Sequence, residues 1–208
     1  FVETQNGNVR ELNTGTAITG SGNGIDANNE RINWDMPYIL SHHDSYRMYL
    51  GTHRVFRNNN NYANASWSPI SPDLTDGNIY GANFHNITQV AESPLDENIL
   101  YAGTSDGNIW SSMDQGSNWS MVSNSLPKRY VTGIYPSFND SASVFISYSG
   151  LKYNDPYPHV FRSDDIGQSW TDISGDLPQV QVNDILAHPN NDSILFIATQ
   201  SGVYGSIN

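Results

Sequence analysis

The sequence contains no cysteine. That excludes a disulfide framework, a thiolate nucleophile and any cysteine-based zinc site. It does not fix a compartment, because many secreted proteins also lack cysteine. Positive charge is scarce. Lys plus Arg number 9 against 21 Asp plus Glu, which gives a formal net charge of -12 and a pI near 4.5. Nucleic acid needs clustered positive charge on its binder, and an anionic membrane attracts the same sign, so neither is expected as a partner. No apolar run approaches the roughly 18 residues of a bilayer span, so no membrane insertion is expected. The opening FVETQ carries no Met and no cationic, then apolar, leader, and is read as mature, trimmed or excised.

Asn is abundant, 25 of 208 residues, and Tyr stands at 12. Asn tolerates left-handed backbone and bonds to its own turn, so a turn-rich chain is expected. With the acidity, this composition points to a secreted or extracellular protein.

Repetition organises the chain. RMYLGTHRVFR (47–57), NILYAGTSDGNIWSS (98–112), SVFISYSG with HVFRS (143–163) and SILFIATQSGVYGS (193–206) each place a turn between two short runs that alternate apolar and polar residues. A further strand precedes each pair, at 37–44, 88–96, 131–140 and 183–192. A fourth follows a Trp in WSPI, WSMV and WTDI. Trp67, Trp119 and Trp170 are 52 and 51 residues apart. Four short antiparallel strands in about 50 residues define a propeller blade. The fold class is therefore all-β, with residues 1–208 forming one repeat region of about four blade units, the first and last incomplete. FVETQNGNVRELN at 1–13 matches FIATQSGVYGSIN at 196–208, so the second and third strands of a unit occur twice. The expected architecture is an arc of a larger propeller, with the remainder of a longer parent chain as its partner. A self-closed four-blade ring is the alternative. The stretches 14–36, 73–86 and 150–158 read as connections and excursions, with INWDM a possible extra strand. No convincing helix is expected.

SMDQGSNW (112–119) and SDDIGQSW (163–170) share one spacing. Ser112 and Ser163 end a strand. Asp114 and Asp165 can accept turn N–H groups, and Gly116 and Gly167 can take positive φ. Trp119 and Trp170 can bury a ring between sheets. A group that recurs every 51 residues reads as a folding device rather than a catalyst. RNNNNYANASW at 57–67 keeps Trp67 but replaces the Asp-x-Gly centre.

These elements resemble the Asp-box, or BNR repeat, of sialidases, sortilin-type receptors and xyloglucan-cleaving glycoside hydrolases. With ETQNGNVREL, INWDMPYILS, WSPISPDLT and WTDISGDLPQVQVNDILAHP, nearly the whole chain resembles secreted bacterial BNR-repeat or sortilin-like glycosyl hydrolase homologues. The resemblance speaks to fold far more than to activity. A sialidase of this kind would need three arginines, a Tyr–Glu pair and an Asp acid. Arg57 and Arg162 sit at equivalent third-strand positions, with Arg10 comparable, but the usual Arg-Ile-Pro motif is missing. The plainer reading puts these arginines beside the Asp-box turn, paired with carboxylates.

A glycoside hydrolase needs two carboxylates about 5–9 Å apart across a sugar. Asp35, Asp73, Asp76, Glu92, Asp106 and Asp155 are the candidates, with Asp35 and Asp155 taken forward as catalytic. Trp34, Tyr153 and Tyr157 are the candidate ligand-binding aromatics. Asp106 also reads as an Asp-Gly hairpin turn, and His42-His43-Asp44 as a strand-end turn. No metal site or cofactor is expected. Oxygen ligands for calcium are plentiful, but no calcium-loop spacing is present. The expected function is an extracellular propeller module that binds carbohydrate or protein, or serves as a scaffold. The alternative is part of a secreted glycoside hydrolase. Whether the chain is an enzyme stays open, and glycan or protein is the expected partner.

Overall fold

A computed structural model describes residues 2–3, 9–10, 25, 30–33, 35–59, 67–80 and 83–206. The chain is all-β among these residues, apart from one 3-10 turn at Leu151–Tyr153. A ribbon of β1 (Val2–Glu3) and β2 (Val9–Arg10) comes first. The first sheet follows as β3 (Tyr38–Leu40), β4 (Met48–Gly51), β5 (Val55–Asn58) and β6 (Ser68–Pro69). A small ribbon, β7 (Asn78–Tyr80) and β8 (Asn83–Phe84), lies in the next connection. The second sheet is β9 (Ile87–Glu92), β10 (Leu100–Thr104), β11 (Ile109–Ser112) and β12 (Ser120–Met121). The third is β13 (Tyr130–Pro136), β14 (Val144–Ser149), β15 (His159–Ser163) and β16 (Thr171–Asp172). The fourth has three strands, β17 (Val182–His188), β18 (Asn191–Thr199) and β19 (Gly202–Ser206). Each sheet is an antiparallel meander in chain order.

Alternation along the second strand of each sheet builds the core. Leu100 and Ala102 on β10 pack with Tyr49, Val55 and Leu74 on the first-sheet side. Tyr101, one residue over, packs with Val131, Val144 and Ile146 of the third sheet. Phe145 on β14 then faces Val182, Ile185 and Ile197 of the fourth. Successive strand residues point to opposite faces, so one strand supplies two interfaces. Both faces are covered, and β4, β10 and β14 are buried along their whole length. Each large aliphatic or Phe side chain fully buried there contributes about 1.5–3 kcal/mol.

The first strands β9, β13 and β17 contact one another in sequence, and β3 contacts β9. They converge on an inner side while the fourth strands splay outward, as in an arc of propeller blades. Antiparallel order also sorts the connections. Those between first and second, and third and fourth, strands lie at one end, the lower. Those between second and third strands, and from sheet to sheet, lie at the upper end.

Both SxDxGxxW turns are at the lower end, with the same bonds. Ser112 Oγ donates to Asp114 Oδ1 (2.9 Å) and accepts the Gly116 N–H (2.9 Å). Ser163 Oγ does the same with Asp165 Oδ1 (2.8 Å) and Gly167 N–H (2.8 Å). Asp114 and Asp165 then accept the N–H of Asn118 and Ser169. These bonds stabilise the anion and hold both carboxyls below the usual aspartate range, Asn118 and Ser169 being the largest causes. Gly116 and Gly167 take φ of 86° and 87°. A Cβ on Gly167 would lie 2.8 Å from Val122 Cγ2, so glycine is required by space as well as by conformation. The Trp119 indole N–H donates to Ile70 O of the first sheet, and that of Trp170 to Val122 O of the second, each at 2.8 Å. Each turn therefore rivets its own sheet to the one before.

The structure differs from the sequence reading in two places. Residues 32–33 and 35–36 form no strand, and the 73–86 excursion contains the β7–β8 ribbon.

Candidate functional site

The inner side of the arc carries a groove of about 430 Å³ that runs over the first strands. Asp35, Tyr38, Gln89, Tyr130, Thr132 and Asn183 line it, drawn from all four sheets or their approaches. Tyr38 is 51% exposed and Tyr130 37% exposed, so both rings present a face to solvent inside the groove. Gln89 Nε2 donates to Thr132 O (2.8 Å), and Thr132 Oγ1 pairs with Ser147 Oγ (2.9 Å), which fixes the polar floor. Burial, then the nearby Asp35 carboxylate, push the Tyr130 phenol above its ordinary value. Asp35 thus lies at the groove close enough to Tyr130 to be felt by it. Trp34 lies outside the described residues.

Beside the groove, at the upper end, the 150–158 loop folds onto Arg129. The Arg129 guanidinium carbon sits 4.8 Å from the Tyr153 ring centre, a cation–π geometry, and Arg129 Nε donates to Asp155 Oδ2 (2.9 Å). His159 Nε2 meets the same oxygen at 2.9 Å, and Tyr157 N–H donates to Oδ1 (3.1 Å). Burial opposes ionisation of Asp155, but the bonds to His159, Tyr157 and Arg129 outweigh it and hold its carboxyl below the usual range. Asp155 is therefore a carboxylate fixed by three partners, and it shapes the loop. Leu151, Tyr153 and Tyr157 are left 64%, 42% and 56% exposed. Arg129 adjoins Tyr130 in the chain, just before β13.

The other carboxylate candidates are held elsewhere. Asp73 takes Arg31 Nη2 on both oxygens (2.9 and 2.8 Å), while Asp76 pairs with Asn108 and Lys128. Asp106 begins the turn from β10 to β11 and accepts the Asp76 N–H (2.6 Å). Glu92 is buried at the lower end, where it accepts from Ser41 Oγ, His42 N–H and Tyr49 Oη. His42 and His43 belong to that strand-end connection, with His43 Nε2 on Ser93 O. Arg57 and Arg162 lie on the outer part of their sheets. Arg57 Nη1 donates to Gln115 O and Arg162 Nε pairs with Asp164, so neither enters the inner groove. Among the described residues no group of three His, Cys, Asp or Glu could hold a metal, and no helix is long and apolar enough to cross a membrane.

One titratable residue of β17, outside the groove lining, escaped the sequence reading. Asp184, next to Asn183, lies against Gly133 on the neighbouring first strand. Burial raises its carboxyl above the ordinary range despite the Ile185 N–H. Only the strand alternation around a bulge between Val182 and Asp184 could have signalled it.

The fold has known counterparts. An ancestral GH74 enzyme matches with a TM-score of 0.65 and 15% identity, over 86% of this chain and 24% of that one. The GH74 xyloglucanase from Xanthomonas campestris matches at 0.63 and 15%, over 82% of this chain and 28% of the other. The C-terminal WD40 domain of Sif2 matches at 0.53 and 13%, over 86% and 48%. The chain thus spans about a quarter of the length of the GH74 structures it matches. No family model matches the sequence, and no curated protein does. At these identities the likeness defines the class: a partial β-propeller, with glycoside-hydrolase propellers among its structural relatives.

Proposed function

We propose that this chain is an extracellular carbohydrate-binding propeller module of the Asp-box type, part of a longer protein. The observation that carries the reading is the inner groove. Its size suits a sugar unit or two, its exposed Tyr38 and Tyr130 rings offer stacking faces, and Gln89, Thr132 and Asn183 offer hydrogen bonds. Tyr153 and Tyr157 extend the aromatic surface. The carboxylates Asp73, Asp76 and Asp155 are paired with cations, which suits binding better than acid–base chemistry.

Calorimetric titration with xyloglucan and other neutral oligosaccharides tests this. Binding to the parent chain, weakened about fivefold or more in Tyr130→Ala at unchanged melting temperature, is the expected result, since stacking of this kind is worth about 1 kcal/mol per ring. Full binding in Tyr130→Ala contradicts it.

A second reading keeps a glycoside hydrolase, favoured by Asp184. A carboxyl raised above its ordinary range suits a general acid, Asp184 stands next to the groove residue Asn183, and Asp35 at the groove offers the second carboxylate. Release of reducing ends that is abolished in both Asp35→Asn and Asp184→Asn would establish that reading over the first.

A further inference from the structure

The outer rim repeats a groove wherever the fourth strand of one sheet meets the SxDxGxxW turn of the next. Between the first and second sheets it holds about 400 Å³ and is lined by Arg57, Ile70, Gln115 and Gly116. Between the second and third it holds about 900 Å³ and is lined by Ser111, Val122, Ile166 and Gly167. The four named positions of the two grooves correspond one to one. Arg57 pairs with Tyr49 and Ser68 across its sheet, Ser111 with Tyr101 and Ser120, and Arg162 with Phe145 and Thr171. Ser111 therefore stands where the first and third sheets carry arginine.

That exchange leaves a defined deficit. In the first groove, Arg57 Nη1 donates to the carbonyl of Gln115 at 3.2 Å, in a turn whose left-handed residue is Gln115 (φ 57°). In the second, the corresponding residue is Ile166 (φ 60°), and no side chain among the described residues donates to its carbonyl. The missing group is a guanidinium. What surrounds the gap suits one. Met113 and Met121, 60% and 38% exposed, flank it with apolar surface for a methylene stem. Asp114, held ionised by its turn bonds, sets a negative charge at the mouth, and the chain as a whole carries -12.

We propose that the groove between the second and third sheets receives an arginine side chain from a protein partner, in the position that Arg57 fills within this chain one sheet earlier. The site is separate from the inner groove and does not depend on the sugar-binding reading.

Amide-resolved NMR titration with the tripeptide acetyl-Gly-Arg-Gly-amide, and with its lysine counterpart, tests the proposal. The arginine peptide is expected to shift Ser111, Ile166, Gly167 and Gln168, and the lysine peptide to bind several-fold more weakly, because an ammonium lacks the planar fork. Ser111→Arg should fill the groove from within and weaken binding about tenfold or more. Arg57→Ser should open the first groove and add shifts at Gln115, Gly116 and Ser117. Undiminished binding in Ser111→Arg, equal binding of both peptides, or shifts confined to other regions would each overturn it. Should Ser111→Arg fail to fold, the gained response in Arg57→Ser decides the matter, and its absence overturns the proposal.

Discussion

The two ends of the sheets follow different rules. At the lower end the same bonds recur in the second and third sheets: a serine caps a turn, an aspartate accepts its amides, a tryptophan reaches the preceding sheet. At the upper end a threonine closes the second strand of three sheets, Thr52, Thr104 and Thr199, each bonded to its own turn, but the charged side chains there follow no repeat. Arg31 grips Asp73 near the first sheet, Lys128 meets Asp76 near the second, and Arg129 holds Asp155 and Tyr153 in the third. Bonds that repeat with the fold serve the fold. Side chains that break the repeat are free to be selected for something else, and the same logic singles out Ser111 on the rim.

The sharpest way to break this contrast is Trp170→Ala. It removes a ring packed between the second and third sheets and strands the Val122 carbonyl, so a loss of about 3 kcal/mol is expected in equilibrium denaturation. Unchanged stability would contradict the riveting role. Gly167→Ala comes next, at about 2 kcal/mol, through positive φ and the contact with Val122. At the upper end the expectation reverses. Tyr153→Ala with Tyr157→Ala should move stability by no more than about 0.5 kcal/mol per site, because both rings lie at the surface outside the core clusters, while sugar affinity falls. A large stability loss there would erase the distinction.

The smallest effect concerns pH. Asp73, Asp76 and Asp155 have folded values held below their unfolded ones by Thr75 and Arg31, by Asn108 and Lys128, and by His159, Tyr157 and Arg129. Their contribution is complete above the unfolded value near 4 and disappears as pH falls through the folded values. Asp184 has the opposite sign. Its raised value makes ionisation costly, so its protonation as pH falls towards about 4 stabilises the fold. Denaturation curves between about pH 3 and 6 should therefore show acid destabilisation that is steeper in Asp184→Asn than in the parent.

Much of the architecture was legible because its signals are local. Trp67, Trp119 and Trp170 mark the unit length, and β10 and β14 announce themselves by alternation within a few residues. The two SxDxGxxW turns carry their own capping logic. What was not legible is long-range or runs against propensity. Ile166 is β-branched, yet takes left-handed backbone because the turn around Gly167 demands it. The β7–β8 ribbon lies in a stretch with no period-two pattern. Among the site residues, Tyr153, Tyr157 and Asp155 were named from an excursion, but their organiser, Arg129, comes from a different connection 26 residues away. The inner groove draws on strands from every sheet, so no local stretch contains it.

The division between repeated turns and non-repeating side chains is open to a single residue-resolved titration with a neutral oligosaccharide such as a xyloglucan fragment. Shifts at the amides of Gln89, Tyr130, Thr132 and Tyr153, with Gly116 and Gly167 unmoved, are the expected pattern. Shifts centred on Gly116 and Gly167, or none in the inner groove at saturating sugar, would contradict it.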